Sequence, residues 1–505
     1  MQSQEVEGKV ITLLNLLIEQ GKRRQYTRLH QAVGKYSLIF SDLMAFVMSS
    51  LLASWLHEHR PDWAFEGEID LWAGPMASIR VIIFVALILL AIAWFWLAGH
   101  YSRRRPFWDE LAEVVRLVFI LGLLEASFHY LAKLPFSRFW YLGDWVGVLL
   151  LIPLLRILTK KLLMRLRIWQ RPAIVLGMGR NAKDAAVALH SDRLMGYQVL
   201  AFASLSPPQV PSLEVAGACI PAVRFDPSHL EELNALGNPS VIVAFEHVDL
   251  GRETRFISRL HHYCDDLHVV PPLRGLPLLG TKVHYFFRHE LFFLALGNNL
   301  VRWGPRVFKR MFDLAVATAL LLLALPLFGV LAMLIRRDDG PILFAQERIG
   351  QFGVPFPCLK FRTMVPEAQA VLDRLLASDP VLQEEWKRHC KLRDDPRITP
   401  VGRWLRRYSL DELAQLWNVI KGEMSLVGPR PVVKGELKRY GEDVDYYLLT
   451  KPGMTGLWQI SGRNDTRYSE RVYLDAWYVK NWSLWMDIVI LIKTVRVVLT
   501  KNGAY

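Results

Sequence analysis

Cysteine is scarce in this chain: four residues in 505, Cys219, Cys264, Cys358 and Cys390, with no C-x-x-C spacing among them. That pattern excludes a disulfide framework and offers no zinc site; the thiols read as reduced ones in a cytoplasmic portion. The first apolar stretch is short and runs into basic residues rather than a cleavage site, so no signal peptide is expected. Acidic excess is absent too, since Lys and Arg outnumber Asp and Glu by 61 to 48, a formal net charge of +13. A basic balance suits nucleic acid, anionic lipid or a phosphate-rich substrate. With 52% hydrophobic residues, the apolar excess favours the last two, and no nucleic-acid partner is expected.

What is present begins with four apolar segments, Tyr36 to Leu56, Ile79 to Ala98, Ala112 to Ala132 and Phe139 to Leu158. Each approaches the roughly 20 residues needed to cross a bilayer. Lys22, Arg23, Arg24, Arg28 and Lys35 precede the first, Arg103, Arg104 and Arg105 separate the second from the third, and Lys160, Lys161, Arg165 and Arg167 follow the fourth. The loop after the first segment is acidic, with Glu58, Asp62, Glu66, Glu68 and Asp70. By the positive-inside rule residues 1–35, the middle loop and everything after the fourth helix lie in the cytoplasm, with 36–165 as the transmembrane region.

Residues 171–300 have α/β character. Ala173 to Leu176 reads as a strand, and Gly177-Met178-Gly179-Arg180-Asn181-Ala182 opens a helix in a loose G-x-G-x-x-A pattern. The strand ending at Ser204 supplies no acidic residue for a ribose. The expectation is a degenerate Rossmann-like domain with a structural or regulatory role.

A fifth apolar stretch, residues 311–335, has basic flanks on both sides: Lys309 and Arg310 before it, Arg336 and Arg337 after it. Pro326, near its middle, removes a helical hydrogen bond. These features predict a re-entrant helix that enters from the cytoplasm, breaks and returns, with Asp313 at the interface beside Arg310.

The last third, 305–505, carries the chemistry. Lys360-Phe361-Arg362-Thr363-Met364 is followed by Arg406-Arg407-Tyr408-Ser409-Leu410-Asp411-Glu412 and, later, by Gly428-Pro429-Arg430-Pro431. Ser409 reads as an N-cap with Glu412 as its capping-box partner, placing Asp411 and Glu412 in a first helical turn. The two carboxylates could simply favour the positive end of a helix. The neighbouring arginines point further, because guanidinium forks match phosphate oxygens. Adjacent carboxylates can supply a nucleophile and a ligand for Mg2+, and an arginine-rich site is expected to hold the Asp411 pKa down. Trp458, Gln459, Gly462 and Arg463 could stack on and hydrogen-bond a nucleobase, or form no more than a folded, solvated turn. Trp482 to Val498 reads as an amphipathic segment on the membrane surface.

The Lys360 to Met364 block, Ser409 to Leu413, Gly422 to Pro431 and Lys451-Pro452-Gly453-Met454-Thr455-Gly456 resemble the signature blocks of the bacterial sugar transferases, the monotopic polyprenyl-phosphate hexose-1-phosphate transferases. The resemblance covers Val307 to Tyr505. Together with the preceding regions it is similar to the large members, and the C-terminal blocks look most like the galactose-specific branch. The resemblance implies a membrane protein of α plus α/β class: four transmembrane helices, a Rossmann-like cytoplasmic domain and a catalytic domain with a re-entrant helix. It implies transfer of a hexose-1-phosphate, galactose-1-phosphate first and glucose-1-phosphate as the alternative, from a UDP-sugar to a polyprenyl phosphate. Mg2+, UMP release and a phosphosugar intermediate on Asp411 come with it. Glu412 would help hold the metal, and Arg406 and Arg430 would contact phosphate. A Ser-Pro at the helix break is common in the family, where this chain has Leu325-Pro326. Placement is expected at the bacterial inner membrane, as a homodimer. The rival reading, a membrane-bound nucleotide-sugar dehydratase or epimerase, rests on a Tyr-x-x-x-Lys pattern at Tyr447 and Lys451. It lacks a complete glycine motif. A membrane scaffold without catalysis would leave the arginine-rich carboxylate site unexplained.

Overall fold

The computed structural model describes residues 28–59, 77–133, 137–225, 239–246, 253–264, 266–278, 280–285, 292–297, 299–300, 302–337, 340–378, 383–384, 395–462 and 467–500. They form two compact units, divided after Leu273.

The first unit begins with four helices, α1 (Arg28–Glu58), α2 (Ala77–Leu97), α3 (Phe107–Leu131) and α4 (Arg138–Arg165). The four apolar segments fall on these helices. Among the described residues only α1, α2 and a later helix at Trp303–Arg336 are long and apolar enough to cross a membrane. Helices α3 and α4 carry more charge, and much of it is buried and paired. Arg156 donates to Asp42 at 2.6 and 2.7 Å and to Glu110 at 2.8 Å, while Lys160 also reaches Glu110. Buried charges persist only when paired in this way, so this network fixes α1, α3 and α4 against one another.

The sheet that follows contains β1 (Arg171–Leu176), β2 (Tyr197–Ser204), β3 (Ser212–Val215), β4 (Ala218–Arg224), β5 (Ser240–Val243) and β6 (Leu267–Val269), with α5 (Arg180–Ser191) and α6 (Thr254–Tyr263). The order is β3-β4-β2-β1-β5-β6. Only β3 runs antiparallel, paired to β4 at one edge. The continuous apolar runs of β1 and β5 are what a parallel sheet covered on both faces requires. Its five parallel strands, β4-β2-β1-β5-β6, follow the 3-2-1-4-5 part of the Rossmann order.

Its anion cradle is already filled. Gly179 caps the start of α5, where a pyrophosphate would meet helix N–H groups. Here Glu246 Oε1 accepts the Asn181 N–H at 2.9 Å. The same carboxylate approaches Gly179 so closely that a Cβ at that position would collide with it. Asn181 in turn donates to Phe245 O at 3.1 Å and Val270 O at 2.8 Å.

The second unit opens with a hairpin, β7 (Lys282–Tyr285) and β8 (Phe292–Ala295), so the unit boundary lies upstream of the one read at residue 300. Helix α7 (Trp303–Arg336) follows. Next come the β9 (Leu343–Ile349) and β10 (Pro355–Phe361) hairpin, α8 (Ala368–Ser378), α9 (Pro400–Arg407), a 3-10 turn Leu410–Ala414 and α10 (Gln415–Lys421). The unit ends with β11 (Ser425–Val427), α11 (Val444–Leu449), β12 (Gly453–Thr455), α12 (Leu457–Ile460), α13 (Tyr468–Lys480) and α14 (Leu484–Thr500). The parallel pair β11–β12 is enclosed by a core containing Leu300, Ala317, Leu416, Val419, Val427, Tyr478 and Ile490.

Helix α7 differs from expectation in two respects. It stays helical through Pro326; the proline removes one hydrogen bond, and Leu327, Phe328, Leu331 and Ile335 beyond it pack on Phe361 and Leu405. Asp313 is buried rather than interfacial, and its partners are the Ser425 hydroxyl at 2.8 Å, the Leu426 N–H at 3.3 Å and Lys309 at 3.8 Å, not Arg310. Arg310 instead donates to Val419 O at 2.6 Å and Ile420 O at 2.8 Å. It thereby satisfies carbonyls at the C-terminus of α10, where the helix dipole favours a cation.

Candidate active site

Three chain segments bring the carboxylates and cations together. Strand β10 delivers Lys360. Its neighbour Leu359 donates its N–H to Asn418 Oδ1 at 3.0 Å, and Asn418 Nδ2 donates to Pro357 O at 2.8 Å and Glu423 at 2.6 Å. This fully buried amide staples α10 to β10 and so fixes the spacing between Lys360 and the turn before α10. Sequence reading missed it, because a single Asn on a short helix carries no signal without its partner strand.

Helix α9 delivers Arg406. It lies against the backbone of Thr363 so tightly that a Cβ at Gly402 would clash with the Thr363 carbonyl. Thr399 caps α9 by accepting the Gly402 N–H at 2.9 Å. Arg406 Nε then donates to Thr363 Oγ1 at 2.9 Å. Arg397, locked onto Asp395 by two contacts of 2.6 and 2.8 Å, adds a second guanidinium to the same wall.

The 3-10 turn delivers Asp411 and Glu412. The capping box expected at Ser409 does not form. Ser409 is left-handed, with φ 55°, and its side chain makes no cap bond. The chain must reverse between α9 and the turn, and that backbone conformation takes the hydroxyl away from the orphan N–H groups. The carboxylates still fall in the first turn. Glu412 accepts Lys360 Nζ at 2.7 Å. Asp411 is buried at 9% exposure, and its pKa is pushed up to about 6 by burial and then by Glu412, against Lys360 and Arg406. The expectation of a depressed value is therefore corrected: loss of solvent outweighs the cations.

These groups line one cavity of about 1310 Å³, which holds Lys360, Arg362, Arg397, Arg406, Asp411, Glu412, Trp458 and Gln459. Arg362 donates to Ile335 O at 3.0 Å, at the end of α7. The Trp458 indole nitrogen and Gln459 Oε1 are buried without hydrogen-bond partners. Arg430 does not line the cavity. Its guanidinium carbon stands 5.7 Å from the Trp458 ring centre, and that of Arg471, which sequence reading did not single out, stands 5.0 Å away. Gly462 is exposed and does not line the cavity, and Arg463 lies outside the described residues. Arg310, Asp313 and Pro326 sit on α7 rather than in the cavity.

Among the described residues no group of three or more His, Cys, Asp or Glu forms a metal cage. The dyad still suits Mg2+, a cation usually held by one or two carboxylates completed by substrate phosphates and water. Two adjacent carboxylates, one of them nearly dry, are a donor set that a hard cation would stabilise. Tyr447 and Lys451 of the rival pattern do not make an oxidoreductase pair. Tyr447 is buried, donates to Ile349 O at 2.7 Å and accepts the Val432 N–H at 3.2 Å.

Comparison with known proteins accords with this geometry. Residues 304–501 match the family model described as bacterial sugar transferase. The chain is 45% identical to the undecaprenyl-phosphate galactose phosphotransferase of Salmonella typhimurium, over 84% of this chain and 89% of that protein. It is 42% identical to the UDP-galactose-lipid carrier transferase of Erwinia amylovora, over 93% and 97% respectively. Against the exopolysaccharide production protein ExoY of Sinorhizobium fredii it is 47% identical over 42% of this chain but 95% of that protein. A 45% identity sustained across nearly the full length of both chains places this protein in the bacterial sugar transferase family.

Proposed function

We propose that this chain transfers a hexose-1-phosphate, galactose-1-phosphate in the first instance, from a UDP-sugar to undecaprenyl phosphate at the cytoplasmic face of the bacterial inner membrane. The observation that carries this reading is one cavity in which adjacent carboxylates, Asp411 and Glu412, face Lys360, Arg397 and Arg406. A pyrophosphate donor needs its charge neutralised and a nucleophile set in line with phosphorus. A carboxylate oxygen of Asp411 attacks the sugar-linked phosphorus. The bond to the bridging oxygen breaks, and UMP departs with that electron pair. A phosphate oxygen of the acceptor then attacks the same phosphorus, and the Asp411 carboxylate is regenerated as the lipid diphosphate sugar leaves. Arg406 and Lys360 hold the transferring charge, with Arg362 and Arg397 behind them. Asp411 and Glu412 would hold Mg2+, which when bound supplies charge neutralisation of the diphosphate.

The orphaned Trp458 N–H and Gln459 carbonyl suit the acceptor and donor edge of a uracil, with Arg430 bracing the Trp458 ring. Galactose rests on the names and identities of the two long relatives; glucose is the alternative sugar.

The membrane arrangement belongs to the same reading. We read α1 to α4 as the four spans, α3 and α4 carrying their charges paired inside the bundle, and α7 as re-entrant through a bend at Pro326 that keeps the helix continuous. Both ends of α7 engage the same unit, through Arg310 on α10 and through Ile335 on Arg362, whereas Leu322, Leu323 and Leu325 between them are exposed. A straight span would carry one end of this 34-residue helix, about 50 Å long, across the bilayer. Cysteines introduced at Arg306 and Arg337 should both label from the cytoplasm; periplasmic labelling of either would overturn the arrangement. The active form is a homodimer, to be checked by mass in detergent.

The chemistry is tested by incubating the full chain with radiolabelled UDP-galactose or UDP-glucose and Mg2+, without acceptor. Label should remain on the protein, map to Asp411 and discharge onto added undecaprenyl phosphate. Asp411→Asn should nearly abolish turnover while donor binding persists, because the loss lies in the chemical step. A fully active Asp411→Asn enzyme would refute the assignment. The sugar that labels the protein faster decides between galactose and glucose.

A further inference from the structure

Not all of the cavity suits a nucleotide sugar. Its polar end holds the dyad and the cations. The other end is walled by Leu320, Leu323 and Ala324 of α7 and by Leu491, Val497 and Val498 of α14. The i, i+3, i+4 spacing of the first trio and the i, i+7 spacing of Leu491 and Val498 set those residues on one helical face each; Val497 lies at the edge of the second face, and all six line the common space as two apolar stripes. At about 1310 Å³ the cavity exceeds the roughly 300–1,000 Å³ usual for a compact small ligand. Leu323 is 79% exposed and Leu320 44%, an apolar surface left open beside the catalytic acids.

We propose that these two stripes form the groove for the first isoprene units of the acceptor, placing its phosphate at Asp411. The inference rests on the transfer reading above. A UDP-sugar is polar throughout and has no use for an apolar wall, whereas a polyprenyl phosphate is a charged head on an apolar chain and matches both ends of the cavity. Thr494, between the stripe residues of α14, exchanges a hydrogen bond with Thr455 at 2.8 Å. That contact ties α14 to β12, directly ahead of Trp458, and sets the width of the groove relative to the donor side. The groove therefore reads the acceptor close to its phosphate, and chain length beyond the stripes should matter little.

The test uses the full chain in nanodiscs with a polyprenyl phosphate bearing a benzophenone near its phosphate end. Irradiation should crosslink it to peptides containing residues 320–324 and 491–498, and undecaprenyl phosphate should compete. In parallel, Leu323→Gln and Val497→Gln should each raise the KM for undecaprenyl phosphate on the order of ten-fold without changing the KM for the UDP-sugar. Leu322→Gln, one position off the stripe, serves as the control and should leave both constants at their wild-type values. Retained labelling of Asp411 by donor alone shows that the variants are folded. Crosslinks confined to other surfaces, or acceptor KM values that do not move, would overturn the groove. Crosslinks on the stripes without any lipid-linked product would keep the groove and overturn the transfer reading instead.

Discussion

Replacing Lys309 with methionine removes the single cation from a buried cluster that anchors α7 to the catalytic unit. Lys309 Nζ lies 2.6 Å from Asp487 and 3.8 Å from Asp313 and donates to Val427 O at 3.2 Å. Asp487 is fully buried and also accepts from Tyr478 at 2.7 Å and Trp482 at 3.1 Å. Breaking a buried pair by deleting one partner costs about 3–5 kcal/mol. The retained donors on Asp487 put this case near the lower end, at about 3 kcal/mol. For a unit of this size each kcal/mol lowers Tm by about 2–4 °C, so Lys309→Met should melt about 6–12 °C below wild type. The double variant Lys309→Met with Asp487→Asn restores the original net charge of the cluster and should recover at least half of that loss. Thermal unfolding of the four members of the cycle in one detergent measures this. Simple additivity of the two single losses, or a Lys309→Met shift under about 2 °C, would refute the view that this cation holds the cluster together.

Three further outcomes are expected. A chain beginning at Arg302 should retain transfer activity in a membrane mimic, since the matched family domain covers residues 304–501 and the cavity is lined from within that span; a folded, membrane-bound but inactive fragment would count against this. Labelling of the protein by donor should fall as pH drops through 6, because Asp411, pushed up to about 6, attacks only when ionised. Raising Mg2+ should move that limb to lower pH, since a cation favours the charged form, and a limb indifferent to Mg2+ would argue against metal at the dyad. Burial pushes the Cys358 thiol up to about 11, so peptide mapping after brief alkylation at pH 8 should find exposed Cys219 modified and Cys358 intact.

Much of this protein was readable before its structure. The strand at 173–176, the helix opening at Arg180 and the clustering of Asp411, Glu412, Lys360 and Arg406 followed from local pattern. What escaped depended on partners distant in sequence. Lys309 and Asp487 are 178 positions apart, and Asn418 is 61 positions from Pro357. The left-handed Ser409 is a consequence of how α9 meets the following turn, which a capping pattern does not encode. The Asp411 shift was misjudged because counting arginines says nothing about how far water is excluded. Residues 311–335 marked the apolar part of α7, but the helix begins at Trp303 and takes in Lys309 and Arg310, and the pattern could not show that the helix continues through Pro326.

The carboxylate seated at the start of α5 bears on what this cradle could bind. Glu246 is delivered by the same chain that builds the cradle, so it competes as an intramolecular ligand with an effective concentration on the order of millimolar or more. A diffusing dinucleotide would have to evict it, and the position of Gly179 leaves no room for both. A phosphate reaching this helix start would therefore meet a carboxylate before it met the N–H groups, and displacing or protonating that carboxylate would be part of the cost of any binding there.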